Sequence, residues 1–229
     1  GTSLTAYGGP DWPLCIYNNE LYAAGNYTAS LPFPPGNNSG ISKWNGTTWS
    51  DVGGLVVSPP IYVNAMEVHN NELYIGGIFN TVGGIAATNV AKYNGSTWSV
   101  AHVGNNIGVI RSMLSYSNNL YIGGLFPNNP PIRQVEILNG SSFVPLTQDC
   151  LTQNCATGEV RSLCFYNNSL HVGGYFGFVA TGPPYTLLKN IARFSGSVGI
   201  KEQTILNNHS VYPNPSTGQF NFEGLVEES

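Results

Sequence analysis

Apolar residues along the chain come in short runs that open the same way four times. Residues 14–25 read LCIYNNELYAAG, 66–77 MEVHNNELYIGG, 113–124 MLSYSNNLYIGG and 163–174 LCFYNNSLHVGG, with starts 52, 47 and 50 residues apart. In each, an apolar run is broken by a polar pair and resumes, which predicts two strands folded back through a tight turn. A second landmark follows a variable loop: Lys43-Trp44-Asn45-Gly46, Lys92-Tyr93-Asn94-Gly95, Ile137-Leu138-Asn139-Gly140 and Arg193-Phe194-Ser195-Gly196. In the first three copies an aromatic comes shortly after, at Trp49, Trp98 and Phe143. These landmarks predict a second hairpin, because Asn-Gly tolerates the positive φ of a tight primed turn. In the second copy the four strands fall near 63–69, 73–79, 89–93 and 97–100.

A unit of 47–52 residues forming four antiparallel strands has the period of a β-propeller blade. Propeller sheets pack on both faces, which accounts for consecutive apolar positions such as Leu73, Tyr74 and Ile75 where strict alternation would be expected of a half-buried strand. The glycine pairs Gly76-Gly77, Gly123-Gly124 and Gly173-Gly174 should weaken an ordinary strand, so their recurrence predicts a bulge or a close backbone approach. The expected fold is all-β, with repeats over 1–198 and blades near 10–52, 60–103, 108–147 and 158–197. The fourth copy lacks its last strand. Residues 2–7 (TSLTAY) resemble the missing strand and are expected to complete the last blade, leaving no free edge. That arrangement fits a four-blade ring and equally a piece of a larger propeller.

Composition narrows the function classes. Only 9% of residues are charged and 41% are hydrophobic, with 28 Gly, 15 Pro and 27 Asn. This excludes a helical bundle and argues against disorder. Eight Lys+Arg against twelve Asp+Glu, without a basic run, leave little to neutralise a phosphate backbone, so nucleic acid is not an expected partner. No apolar run reaches the roughly 18 residues of a membrane helix. The N-terminal Gly-Thr-Ser-Leu has no signal-peptide pattern, so a leader has been removed or the chain is a piece.

The recurring LYIGG, the Gly-Gly loop and the aromatic-Asn-Gly followed by Trp resemble a family of kelch-like bacterial extracellular propeller repeats over residues 2–197. The third copy departs from it, with residues 127–131 in place of the Gly-Gly loop. After a polar linker at 199–210, the run Val211-Tyr212-Pro213-Asn214-Pro215-Ser216-Thr217-Gly218-Gln219-Phe220 resembles the opening of the type A C-terminal sorting domain of type IX (Por) secretion. Tyr212, Pro213, Asn214, Pro215, Ser216, Thr217, Gly218 and Phe220 carry that resemblance. It implies a truncated sorting domain at 211–229, the type IX machinery as partner, and a secreted or outer-surface location on a Gram-negative bacterium. Physically, the two prolines hold the chain extended and Ser-Thr-Gly turns it into a short strand. So short a tail cannot repay its ordering entropy of about 1–2 kcal/mol per residue, and is expected to be loosely held.

Cys150 and Cys155 flank a short loop and are expected to form a local disulfide in an exported protein. Cys15 and Cys164 occupy one repeat position and are expected to be separate buried thiols. His69 and His171 stand where other copies have Tyr, and so fill an aromatic slot. No metal or cofactor motif appears, and no catalytic residue is assigned. Glu20 and Glu72 fall in turns and are expected to be solvated. Asp149 and Glu159 lie between the third and fourth units and have the residue type, though no defined spacing, for glycosidase chemistry. Trp12, Asn64, Arg111 and Arg161 each stand two residues before a landmark and would cluster at one mouth of the axial channel. Two Arg with an Asn and a Trp suit an anionic sugar or carboxylate. The strings beginning at Asn26, Asn45, Asn94 and Asn139 match a glycosylation sequon, which turn chemistry already explains in the last three. The expected role is a non-catalytic extracellular binding or adhesion module for a glycan or protein ligand. The other class is a carbohydrate-active enzyme, or its accessory domain, using the propeller mouth.

Overall fold

A computed structural model describes residues 4–6, 13–24, 27–29, 40–52, 62–103, 108–126, 135–146, 158–175, 190–194, 210–211 and 222–223. Among them there is no helix. In chain order the strands are β1 (Leu4–Ala6), β2 (Leu14–Tyr17), β3 (Glu20–Ala24), β4 (Tyr27–Ala29), β5 (Ile41–Trp44) and β6 (Trp49–Asp51). The second unit holds β7 (Tyr62–His69), β8 (Glu72–Ile78), β9 (Thr81–Val82), β10 (Ile85–Ala86), β11 (Val90–Tyr93) and β12 (Trp98–Val100). The third holds β13 (Val109–Tyr116), β14 (Asn119–Leu125), β15 (Val135–Asn139) and β16 (Ser142–Pro145). β17 (Glu159–Tyr166), β18 (Ser169–Tyr175) and β19 (Ile191–Phe194) follow, then the short β20 (Ser210–Val211) and β21 (Phe222–Glu223).

Three antiparallel four-stranded sheets result, in the orders β2-β3-β5-β6, β7-β8-β11-β12 and β13-β14-β15-β16, and a fourth has the three described strands β17-β18-β19. The predicted strands of the second unit match β7, β8, β11 and β12 to within about two residues. β1 does not border β19, as the sequence led us to expect; it pairs with β4, Leu4 opposite Ala29 and Ala6 opposite Tyr27. The local partner closes a far shorter loop, which saves about 2 kcal/mol of closure entropy relative to the last sheet.

The first strands of consecutive sheets lie side by side: β2 against β7, β7 against β13, and β13 against β17. Strands of the middle sheets alternate between two cores. Leu73 and Ile75 join Tyr17, Tyr22 and Ile41 of the first sheet, whereas Tyr74 and Val90 join Ile110, Met113 and Ile122 of the third. Tyr121, Val135 and Ile137 then pack on Val160, Leu170 and Val172. Leu73, Leu120 and Leu170, at one repeat position, are all fully buried, each contributing about 2 kcal/mol by removal from water. Apolar residues at consecutive positions therefore serve two neighbours, as the pattern predicts.

The turns divide the work differently from the sequence reading. The third unit has the predicted tight turn in its second hairpin, Asn139 facing Ser142 with Gly140 at positive φ, but the first hairpin also takes positive φ, at Asn70-Asn71 and its counterparts Asn18-Asn19, Ser117-Asn118 and Asn167-Asn168. In the second hairpin of the second unit Tyr93 faces Trp98, leaving four loop residues. There Gly95 takes the positive φ, and Asn94 serves as an acceptor, its Oδ1 taking the N–H of Ser96 and of Thr97 at 2.9 Å. Short polar side chains that hydrogen-bond the following backbone are the usual reason for Asn in such a loop.

Candidate functional site

Strands β7, β13 and β17 carry a bulge at one level, between Val63 and Ala65, Ile110 and Ser112, and Val160 and Ser162. The extra residues are Asn64, Arg111 and Arg161, three of the four expected at a channel mouth; Trp12 lies outside the described residues. The glycine pairs explain the bulge. A Cβ on Gly77, Gly124 or Gly174 would stand 1.9, 2.0 and 2.0 Å from the carbonyl oxygens of Tyr62, Val109 and Glu159, a distance no side chain survives. The preceding glycines serve the next sheet: a Cβ on Gly76 would meet Ile110 Cγ2 at 2.5 Å, and one on Gly123 would meet Val160 Cγ1 at 2.5 Å.

Asn64 and Arg111 reach forward to the following sheet, while Arg161 bonds back along its own strand. Asn64 is buried and donates from Nδ2 to the Ile110 carbonyl at 2.8 Å. Arg111 donates from Nε to Glu159 Oε1, and Arg161 donates from Nε and Nη2 to Glu159 Oε2 at 3.0 and 2.9 Å. The carboxylate these arginines hold is thus the chain's own. Glu159 is largely covered, Arg111 partly, and Arg161 is open to solvent. Burial pushes the Glu159 carboxyl up, but hydrogen bonds and charge from both guanidinium groups outweigh it and hold it below the usual carboxylate range. The sequence pattern puts Glu159 between the third and fourth units, whereas it is the first residue of β17. The signal for its role was its repeat position, two before Arg161, shared with Tyr62 and Val109.

At the turn end the sheets are tied again. Tyr17 donates its hydroxyl to the Asn71 carbonyl at 3.0 Å, and Tyr116 to Asn168 Oδ1 at 3.0 Å. His69 occupies the same slot, with Nδ1 2.9 Å from Ser115 Oγ and its ring edge-on to Tyr74. Glu67 accepts the Ser115 N–H at 2.9 Å; burial raises its carboxyl despite that bond. His171 lies edge-on to Tyr166. Along the outer edge, Trp98 Nε1 donates to the Val52 carbonyl at 2.6 Å.

Several expectations change. Glu20 and Glu72 are not simply solvated: they pair with Lys43 and Lys92 at 2.8 and 2.7 Å, across the sheet, and are partly covered. In the fourth sheet Ser169 replaces that acid, and among the described residues Arg193 Nε is buried without a hydrogen-bond partner. Cys15 and Cys164 are free thiols, but only Cys15 is partly covered, burial pushing its pKa up; Cys164 is exposed because it faces away from the third sheet. Cys150, Cys155, Asp149 and the sorting run from Tyr212 to Phe220 lie outside the described residues. Among the described residues no group of three His, Cys, Asp or Glu could hold a metal ion, and no helix is long and apolar enough to cross a membrane. Compared with known proteins, the chain matches no family model and no curated protein.

Proposed function

We propose that the chain belongs to an extracellular β-propeller, carried out of a Gram-negative cell by type IX secretion, that binds a glycan without transforming it. The observation that carries this reading is the side-by-side order of β2, β7, β13 and β17, with three bulges at one level turning polar side chains toward a common end. The kelch-like repeat and the run at residues 212–220 support the export address. Among the described residues, Glu159 does not suit the role of glycosidase general acid. A glycosidase acid needs a carboxyl raised toward neutrality, and two guanidinium groups hold this one ionised. The raised carboxyl, Glu67, is engaged between two sheets by the Ser115 N–H.

The ligand follows from the charge. With Glu159 neutralising one guanidinium, the cluster keeps a single net positive charge, and Arg161 is exposed. Planar guanidinium donors beside a carboxylate suit vicinal hydroxyls, and the remaining positive charge suits an acidic glycan over a neutral one. The test is a glycan array, neutral and acidic, probed with the wild-type chain and with the double variant Arg111→Ala, Arg161→Ala. Loss of acidic-glycan binding in the double variant is expected; identical profiles would count against the site.

A further inference from the structure

The contact between neighbouring sheets has a direction. Met66 and Val68 of β7 pack backward on the first sheet, while Glu67 and His69 reach forward to Ser115. In β13, Met113 packs backward beside Gly76, while Leu114 and Tyr116 pack forward with Phe165, the Tyr116 ring stacked on it at 3.9 Å. By the same alternation Leu14 and Ile16 point backward from the first sheet, and Cys164 and Tyr166 point forward from the fourth. These faces are open: Leu14 is 64% exposed, Ile16 72% and Tyr166 63%. Among the described residues a Cβ on Gly173 has nothing closer than 3.7 Å, although its counterparts Gly76 and Gly123 meet the next sheet at 2.5 Å.

One end therefore carries the forward half, and the other end the backward half, of a contact the chain already builds three times. We propose that a second copy of this chain completes it head to tail, seating Leu14 and Ile16 of one copy against Cys164, Tyr166 and Gly173 of the other. The occupant follows from continuity with the internal contacts: the backward face of one copy offers the forward face of another the same kind of surface that the second, third and fourth sheets offer their predecessors. It also specifies a polar tie. Tyr17 and Tyr116 each donate to the second turn residue of the following sheet, Asn71 and Asn168, so Tyr166 donates to Asn19 of the second copy. Such a contact is heterologous, closing into a ring or growing as a filament according to the rotation it imposes. The inference rests on the sheet contacts and not on export or glycan binding.

The mass of the 229-residue chain, followed by sedimentation across concentration, tests it. Masses rising from 24.5 kDa to a dimer or beyond are expected, with alkylation of Cys164, resolved by mass spectrometry, slowing as assembly proceeds. Ile16→Asp and Tyr166→Asp should each weaken self-association at least about tenfold, since a charge enters an apolar contact. Mixed together, the two variants should pair, because each keeps one intact face. Gly173→Val, whose Cβ meets no described atom nearer than 3.7 Å in the single chain, is a further block should either charge variant fail to fold. A 24.5 kDa species at every concentration overturns the proposal, whether Cys164 reacts freely or is shielded within the chain, and so does failure of the variants to pair. Either result leaves the glycan-binding reading standing.

Discussion

A Cβ on Gly124 would stand 2.0 Å from a carbonyl oxygen, whereas on Gly173 it would meet nothing nearer than 3.7 Å among the described residues, although both glycines come from the recurring Gly-Gly motif. Gly124→Ala should therefore cost at least about 1–3 kcal/mol, since backbone must move, while Gly173→Ala should be tolerated or slightly stabilising in the dilute chain. Chemical denaturation of both variants checks the contrast; equal losses would show that the close approach is not what selects glycine. Glu67 gives a second test. Burial raises its folded carboxyl, so the folded state binds the proton more readily than the unfolded one, and stability is lost as pH rises past the ordinary carboxylate range. Gln at this position keeps an acceptor for Ser115 N–H and carries no charge. Glu67→Gln should raise the Tm at pH 7, and the gain should vanish near pH 4.

Among the elements, the first hairpin of each unit was the most legible in the sequence. Its Asn pair, apolar runs and fixed spacing recur, and the observed strands β7 and β8 fall where that pattern puts them. The glycine pair predicted a bulge or close approach, and the structure has both. The ties between sheets were not legible. Tyr17 reaches a carbonyl, His69 a hydroxyl and Tyr116 an amide, so one slot uses three chemistries and no motif repeats. Glu159 escaped for the same reason, its partners lying 48 residues back and two residues on. The strand β1 was misjudged because resemblance to an outer strand says nothing of which edge is nearer. His69 lets one tie be tested. Burial lowers its pKa, so the folded state favours the neutral ring and stability falls as pH drops below the ordinary His value of about 6.5. His69→Tyr, the residue other units use, should make the Tm less sensitive between pH 7 and 5. Burial lowers His102 and His171 likewise, so a smaller slope should remain.

For the molecule as a whole, the sheets form a row in which each touches its neighbours, and stability is close to a sum of sheet and contact contributions. Glu159 joins the third and fourth members of that row. Its depressed pKa contributes stability that is present above the ordinary carboxylate value and is lost as pH falls through the folded one. Glu159→Gln should cost about 1–2 kcal/mol at pH 7, discounted for the exposure of Arg161, as charge-assisted bonds weaken. The penalty should disappear in acid. Hydrogen exchange should show the loss in β17 and β18 before β7 and β8; a uniform response would mean the row melts as one unit.

The hydrogen bond from Trp98 Nε1 to the Val52 carbonyl gives the molecule an internal optical gauge. A buried indole in this setting emits toward the blue, and drawing the first two sheets apart would both wet the ring and free its N–H. A red-shifted signal retained in a chain whose Trp12, Trp44 and Trp49 are all Phe would then time the opening of that one joint, without any attached dye.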